Sequence, residues 1–264
     1  MNRRNFIKTS MAATSVVGAS QLSSISAQAE EKTEQGPQQY LSWRRYVIKT
    51  DDQKKLVADF LKNAAIPALN RAGVKPVGVF YEMPDSDDHS VYVLTSFYSL
   101  ERFASLGRTL SEDGVFMDAA RDYLHTEKSS PAYERIESML MKSFSGYPKI
   151  QTPRQGDRIF ELRTYESHNE LKAFLKVEMF NEAELDIFRR VNLDGVFYGQ
   201  ALAAPNLPQL TYLLAYKDQA ERKKNWDAFL SHPDWEVLKN NERYKDTVSK
   251  IIAKFLIPAP YSQI

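Results

Sequence analysis

Cysteine is absent from all 264 residues, which excludes disulfide staples, thiol nucleophiles, thiolate-held metal and a lipid-modified amino-terminal cysteine. In an oxidising compartment the same absence removes the risk of mispairing. Glycine is sparse, at 10 residues, and there is no glycine-rich phosphate loop, no Gly-x-Ser-x-Gly elbow and no Ser-x-x-Lys pair, so nucleophilic hydrolase chemistry is disfavoured. The four histidines, His89, His125, His168 and His232, have no partners at metal-ligand spacing. No basic block offers a footprint for nucleic acid. No apolar run is long and continuous enough to hold a stable membrane span.

What is present begins at the amino terminus. Asn2-Arg3-Arg4-Asn5-Phe6-Ile7-Lys8 has the form of a twin-arginine export motif: paired arginines, a polar residue, an aromatic, an aliphatic, then lysine. A modestly apolar run over 11–19 follows, and Ala27-Gln28-Ala29 supplies a small-residue cleavage pattern, with cleavage expected after Ala29. Residues 1–29 are therefore set aside as a signal, and 30–39 read as a polar flexible leader. Loss of Arg3, Arg4 and Lys8 leaves 32 basic against 34 acidic residues and moves the net charge from +1 to −2. The expected location is periplasmic or secreted, with no membrane anchor after cleavage.

The remaining chain reads as one pattern written twice. Residues 40–46, Tyr-Leu-Ser-Trp-Arg-Arg-Tyr, superimpose on 159–165 so that Arg44 falls on Arg163 and Tyr46 on Tyr165. Gly78-Val79-Phe80-Tyr81 recurs as Gly195-Val196-Phe197-Tyr198, and a Glu-Arg pair recurs at 101–102 and 221–222. Nearly constant spacing between such landmarks is the mark of duplication. Each copy reads strand, helix, two strands and further helices, a split β-α-β unit of ferredoxin-like type. In the first copy the pattern predicts strands over 40–48, 77–83 and 91–97, a helix over 132–144 and a closing strand near 148–152. In the second it predicts a helix over 169–191 and strands over 195–202, 209–216 and 253–257.

The second copy resembles the NIPSNAP family of the dimeric α/β-barrel superfamily. The resemblance rests on Glu161-x-Arg163-x-Tyr165, on Gly195-x-Phe197 and on Arg222-x3-Trp226-x2-Phe229-x5-Trp235. The first copy matches as a worn version, with Ser42 in place of Glu161 and Leu106 near the position of Trp226. The resemblance implies an α+β fold: two tandem ferredoxin-like domains whose sheets pack into a pseudo-symmetric barrel within one chain. Its divisions would be 40–152, a linker at 153–157, and 158–264. Members of the family share no single settled reaction. The resemblance extends to monooxygenase-like or isomerase-like activity and to haem bound through a histidine, for which His125 would be the first candidate. The residues themselves require no cofactor.

Alternation along 157–166 puts Phe160 and Leu162 on one face and Glu161, Arg163 and Tyr165 on the other. The apolar face is expected to meet the helices. The polar face, with Arg44 and Tyr46 from the first copy, is then expected to line an inter-sheet cleft that holds a small, partly apolar molecule. A guanidinium beside a carboxylate can also be a structural ion pair, and that reading stands beside ligand contact for Glu161 and Arg163. Trp43 and Trp226 read as core. Three functions remain open on the sequence: an enzyme of this fold, a binding module without turnover, and an assembly protein, with homo-oligomers allowed by each.

Overall fold

A computed structural model describes residues 37–264; the signal, its cleavage site and the leader as far as residue 36 lie outside the described residues. β1 (Tyr40–Val47) leads into α1 (Asp51–Phe60), whose first turn is closed by the Thr50 hydroxyl accepting from the Gln53 N–H. The helix widens into a π-helical segment (Leu61–Ala65) before α2 (Ile66–Arg71). β2 (Gly78–Glu82), β3 (Val91–Phe97), α3 (Leu100–Ser111), α4 (Gly114–Ala119), α5 (Arg121–Leu124) and β4 (Arg135–Ser143) follow. β5 (Ile159–Glu166) opens the second series. It leads to α6 (Glu170–Met179), another π segment (Phe180–Glu184), α7 (Leu185–Arg190), β6 (Asp194–Ala203) and β7 (Gln209–Tyr216). α8 (Gln219–Leu230), α9 (Pro233–Lys239) and β8 (Lys250–Pro258) end it.

The strands pair antiparallel in the order β1-β3-β2-β8-β5-β7-β6-β4, and β4 returns to β1 to close a barrel within one chain. β4 reaches across to β6, and β8 reaches across to β2. Side chains from all eight strands fill the interior, among them Trp43, Phe80, Leu94, Phe160, Phe197 and Leu213. Trp43 stacks on Phe80 at 5.6 Å, and Phe80 meets Phe160 edge-on at 4.9 Å. Each such side chain contributes about 1.5–3 kcal/mol through burial. The space enclosed by the strands is therefore an apolar core, and the helices cover the barrel's outer face.

This arrangement reverses the expected faces of β5. Phe160 and Leu162 point into the barrel, whereas Tyr165 packs with Phe180, Phe188 and Phe229 of the helical layer. No inter-sheet cleft receives Glu161, Arg163 and Tyr165, because the strands' inner faces are occupied by aromatic and aliphatic side chains. Two element assignments also change. Residues 135–143 form β4 rather than a helix, since pairing with β1 and β6 overrides the helix preference of Met139, Leu140 and Met141. Residues 148–152 form no strand; the Gln151 N–H donates singly to Val196 O (2.9 Å) and Ile150 N–H to the Gln39 side chain (2.9 Å).

Candidate functional site

In the second half the polar face of β5 is tied into a closed network beneath α8. The buried Glu161 carboxylate accepts from Arg163 (2.7 Å), from Arg222 Nε and Nη2 (2.8 Å each), from Trp226 Nε1 (3.1 Å) and from the Tyr216 hydroxyl (3.2 Å). Burial alone would push its pKa up, but the Arg222 hydrogen bonds and the Arg163 charge outweigh that and hold it below the usual carboxylate value. Arg163 also donates to the Tyr212 hydroxyl (2.9 Å) and the Tyr165 hydroxyl (3.2 Å), and its guanidinium lies 4.5 Å from the Trp226 ring centroid. Tyr212 in turn donates to Tyr165 at 2.7 Å. An acid with so many donors has no free lone pair to offer a substrate. Trp226 is half-buried rather than wholly core, and its indole N–H belongs to this network.

The first half has the same strand scaffold with different surroundings. Arg163 lies across from Tyr212 in the β5–β7 register, and Arg44 lies across from Val93 in the β1–β3 register. Ile159 faces Tyr216 where Tyr40 faces Phe97. Leu106 of α3 borders the first-half strands, and Trp226 of α8 borders Tyr216 and Glu161. Arg102, which shares the Glu-Arg pair with Arg222, turns away to Ala72 O (2.8 Å). Opposite Arg44 the smaller, apolar Val93 stands, where Arg163 has Tyr212. A cavity of about 70 Å³ remains between β1, β3 and the helices, lined in part by Ser42, Arg44, Tyr46, Thr95, Phe97 and Leu106.

Its polar groups are underused. The Ser42 hydroxyl is buried, with no hydrogen-bond partner among the described residues, and such a group is uncommon enough to call for an occupant. Among the described residues Arg44 forms no ion pair, in contrast to Arg163. Burial raises the Tyr46 pKa more than the neighbouring Arg44 charge lowers it, so the phenol stays protonated at neutral pH. No carboxylate and no histidine lines the cavity.

Of the five residues singled out by sequence, two line this cavity and three lie in the closed network. The sequence pattern missed Thr95, Tyr212 and Tyr216, which sit in mostly apolar, β-branched or aromatic strands with little polar contrast. Arg222 was visible as part of a motif and Glu161 as a candidate, but their pairing was not. A larger depression of about 300 Å³ lies between α7, β6 and the segment before β5, but its arginines are engaged, Arg154 by Glu221 and Arg189 by Asp186. The histidines stand apart: His125 follows α5 and is exposed, and His232 Nδ1 accepts the Asp234 N–H at 3.1 Å to start α9. Among the described residues no three His, Asp or Glu side chains are grouped to hold a metal ion.

Residues 160–263 match the family model described as NIPSNAP. No curated protein matches the sequence. A candidate monooxygenase from Lactobacillus acidophilus NCFM superposes with a TM-score of 0.55 at 12% identity, over 84% of this chain and 94% of its own. Another candidate monooxygenase, from Fusobacterium nucleatum, gives 0.54 at 13% identity over 84% and 93%. A NIPSNAP-like domain protein from Burkholderia xenovorans aligns over 42% of this chain and 92% of its own, at 21% identity and a TM-score of 0.38. The two long likenesses establish a shared α/β-barrel fold and leave function to the site.

Proposed function

We propose that the protein, whose residues 160–263 match the NIPSNAP family model, binds a small, partly apolar, oxygen-bearing molecule in the pocket between β1 and the helices of its first half. That half, residues 40–152, is in this reading a diverged copy of the second, 158–264, joined by 153–157. The recurrence of strand, helix, π segment and helix supports the duplication. The observation that carries the binding site is Arg44: a half-buried guanidinium facing a cavity beside the unpartnered Ser42 hydroxyl. Arg163, Glu161 and Tyr165 are assigned to holding β5 against α8.

The test is native purification followed by mass spectrometry of the bound small molecule, on wild type and on Arg44→Met. Arg44 makes no ion pair among the described residues, so the variant is expected to keep its melting temperature. Affinity should fall by about ten- to a hundredfold, the worth of a charge-assisted contact of about 1.5–3 kcal/mol. A variant that retains the ligand in full would remove Arg44 from the site.

Turnover is the second reading, prompted by the two structures of shared fold described as candidate monooxygenases. Tyr46 would then donate a hydrogen bond to a substrate oxygen while Arg44 orients it. Isomerase-like proton abstraction is less well served, because the pocket offers no carboxylate or histidine base. Binding without turnover therefore leads. A structural role in a larger assembly would leave the pocket empty after native purification.

Export through the twin-arginine route is part of the same proposal. Arg3→Lys combined with Arg4→Lys is expected to leave uncleaved precursor in the cytoplasm. Normal export of that double variant, measured by fractionation, would refute the signal.

A further inference from the structure

β1 and β5 run through the same succession of buried and half-buried positions, and each carries an arginine followed two residues on by a tyrosine. They differ two residues before the arginine. Glu161 stands there in β5 and holds Arg163 at 2.7 Å; Ser42 stands there in β1 and is too short and uncharged to do so. The charge of Arg44 is thus left for something else to balance. Asp52, Asp59 and Asp122 line a separate surface depression that shares only Phe60 with the pocket. Asp59 there is already paired with Lys55 at 3.0 Å.

We infer that Ser42 sets the charge of the ligand, and that the pocket takes a compact carboxylate in preference to a neutral molecule of the same shape. This rests on the binding site proposed above and adds to it the class of ligand. In β5 the fold supplies its own carboxylate to the arginine; in β1 the ligand's carboxylate takes that place. Its two oxygens can accept in parallel from the guanidinium fork. The Ser42 hydroxyl, which lacks a partner, and the Tyr46 phenol can donate to the same oxygens. The apolar walls from Phe97 and Leu106 keep water away and strengthen the attraction. A primary amide of equal shape has one acceptor oxygen, and its NH2 would be left facing donors. A site built for a hydrogen-bonding group rejects such a mismatch strongly. At about 70 Å³ the cavity suits a carboxylate with a short carbon chain, bulk water itself taking about 30 Å³ per molecule.

Propanoate and propanamide are matched probes. Titrating each into the full-length protein at fixed ionic strength, with binding read by NMR shifts of the Ser42 and Arg44 amides, is expected to show propanoate binding at least about tenfold tighter. Ser42→Ala should keep that preference, because the hydroxyl is lost but the uncompensated charge remains. Ser42→Glu should abolish propanoate binding, by giving Arg44 an internal partner, without lowering the melting temperature. Equal affinity of the two probes for wild type would overturn the inference while leaving the pocket standing, and this comparison needs no variant to fold. Propanoate binding retained by a folded Ser42→Glu would overturn it as well. If neither probe binds wild type, the pocket fails and the inference fails with it.

Discussion

Glu161→Gln is expected to lower the melting temperature at neutral pH by roughly 10 °C. The side chain is fully buried, and it is the only carboxylate among the described residues that contacts both Arg163 and Arg222. Removing one partner of a buried ion pair costs about 3–5 kcal/mol, because the charge left behind has lost both its hydration and its counter-ion. Arg163 is the more enclosed of the two and carries most of that cost. A double variant, Glu161→Gln with Arg163→Met, should recover stability only in part, since Arg222 keeps its orphaned charge. The pH dependence has a definite sign. The folded pKa of Glu161 lies below the ordinary glutamate value of 4.5, so the group's contribution is fully present above about pH 4.5. It is lost as pH falls through the depressed folded value. Wild type and variant melting curves should therefore converge in acid, and a gap unchanged between pH 7 and pH 3 would assign the loss to packing.

Lys176→Met is expected to destabilise by about 3–5 kcal/mol for the same reason, and here too the gap to wild type should narrow in acid, because the variant gains rather than because wild type loses. Lys176 Nζ lies 2.7 Å from Glu184, and both side chains are almost wholly buried. Eight residues separate them, one α-turn of about 3.6 residues plus the wider turn of the π segment, which brings both onto one helix face. The ammonium also lies 4.7 Å from the Phe180 ring centroid. Burial pushes the Glu184 carboxyl above its ordinary pKa, and Lys176 opposes that shift. With the lysine gone the folded pKa rises further, so the variant should gain stability relative to wild type as pH falls through that value. Replacing both residues, Lys176→Met with Glu184→Leu, should restore most of the loss at neutral pH. A double variant as unstable as the single one would show that the cost lies in the helix packing rather than in the stranded charge.

Much of the fold was legible because its strands announce themselves. β3 and β7 were read to their observed limits, both being apolar or β-branched runs between turn signals. The phase of β5 was also legible, since alternation separates Phe160 from Glu161. Which face meets the barrel interior was not. Phe160, Glu161 and Leu162 are all buried, so polarity distinguishes the faces without saying which layer each one meets. β4 escaped because Met, Leu and Lys favour a helix when isolated and became a strand only through two neighbours far away in sequence. The candidate pocket escaped for a subtler reason. In the proposed duplication its sign is the loss of a motif, with Ser42 matched to Glu161 and Leu106 near Trp226, and such losses read as wear until they are seen beside an arginine that lines a cavity.

The crossing of β4 and β8 between halves governs how the chain can assemble. β2 is joined to β8 through Phe80↔Pro258, Tyr81↔Ile257 and Glu82↔Leu256, a short seam between segments far apart in sequence. Until residues 194–203 have been synthesised the β4 edge of the first half waits for β6, and until residues 250–258 have been synthesised its β2 edge waits for β8. Such naked edges invite pairing with other chains, and closing so distant a contact is slow because the intervening loop must first be ordered. A nascent first half is thus the stage most exposed to intermolecular association, and ring closure by β8 ends that exposure.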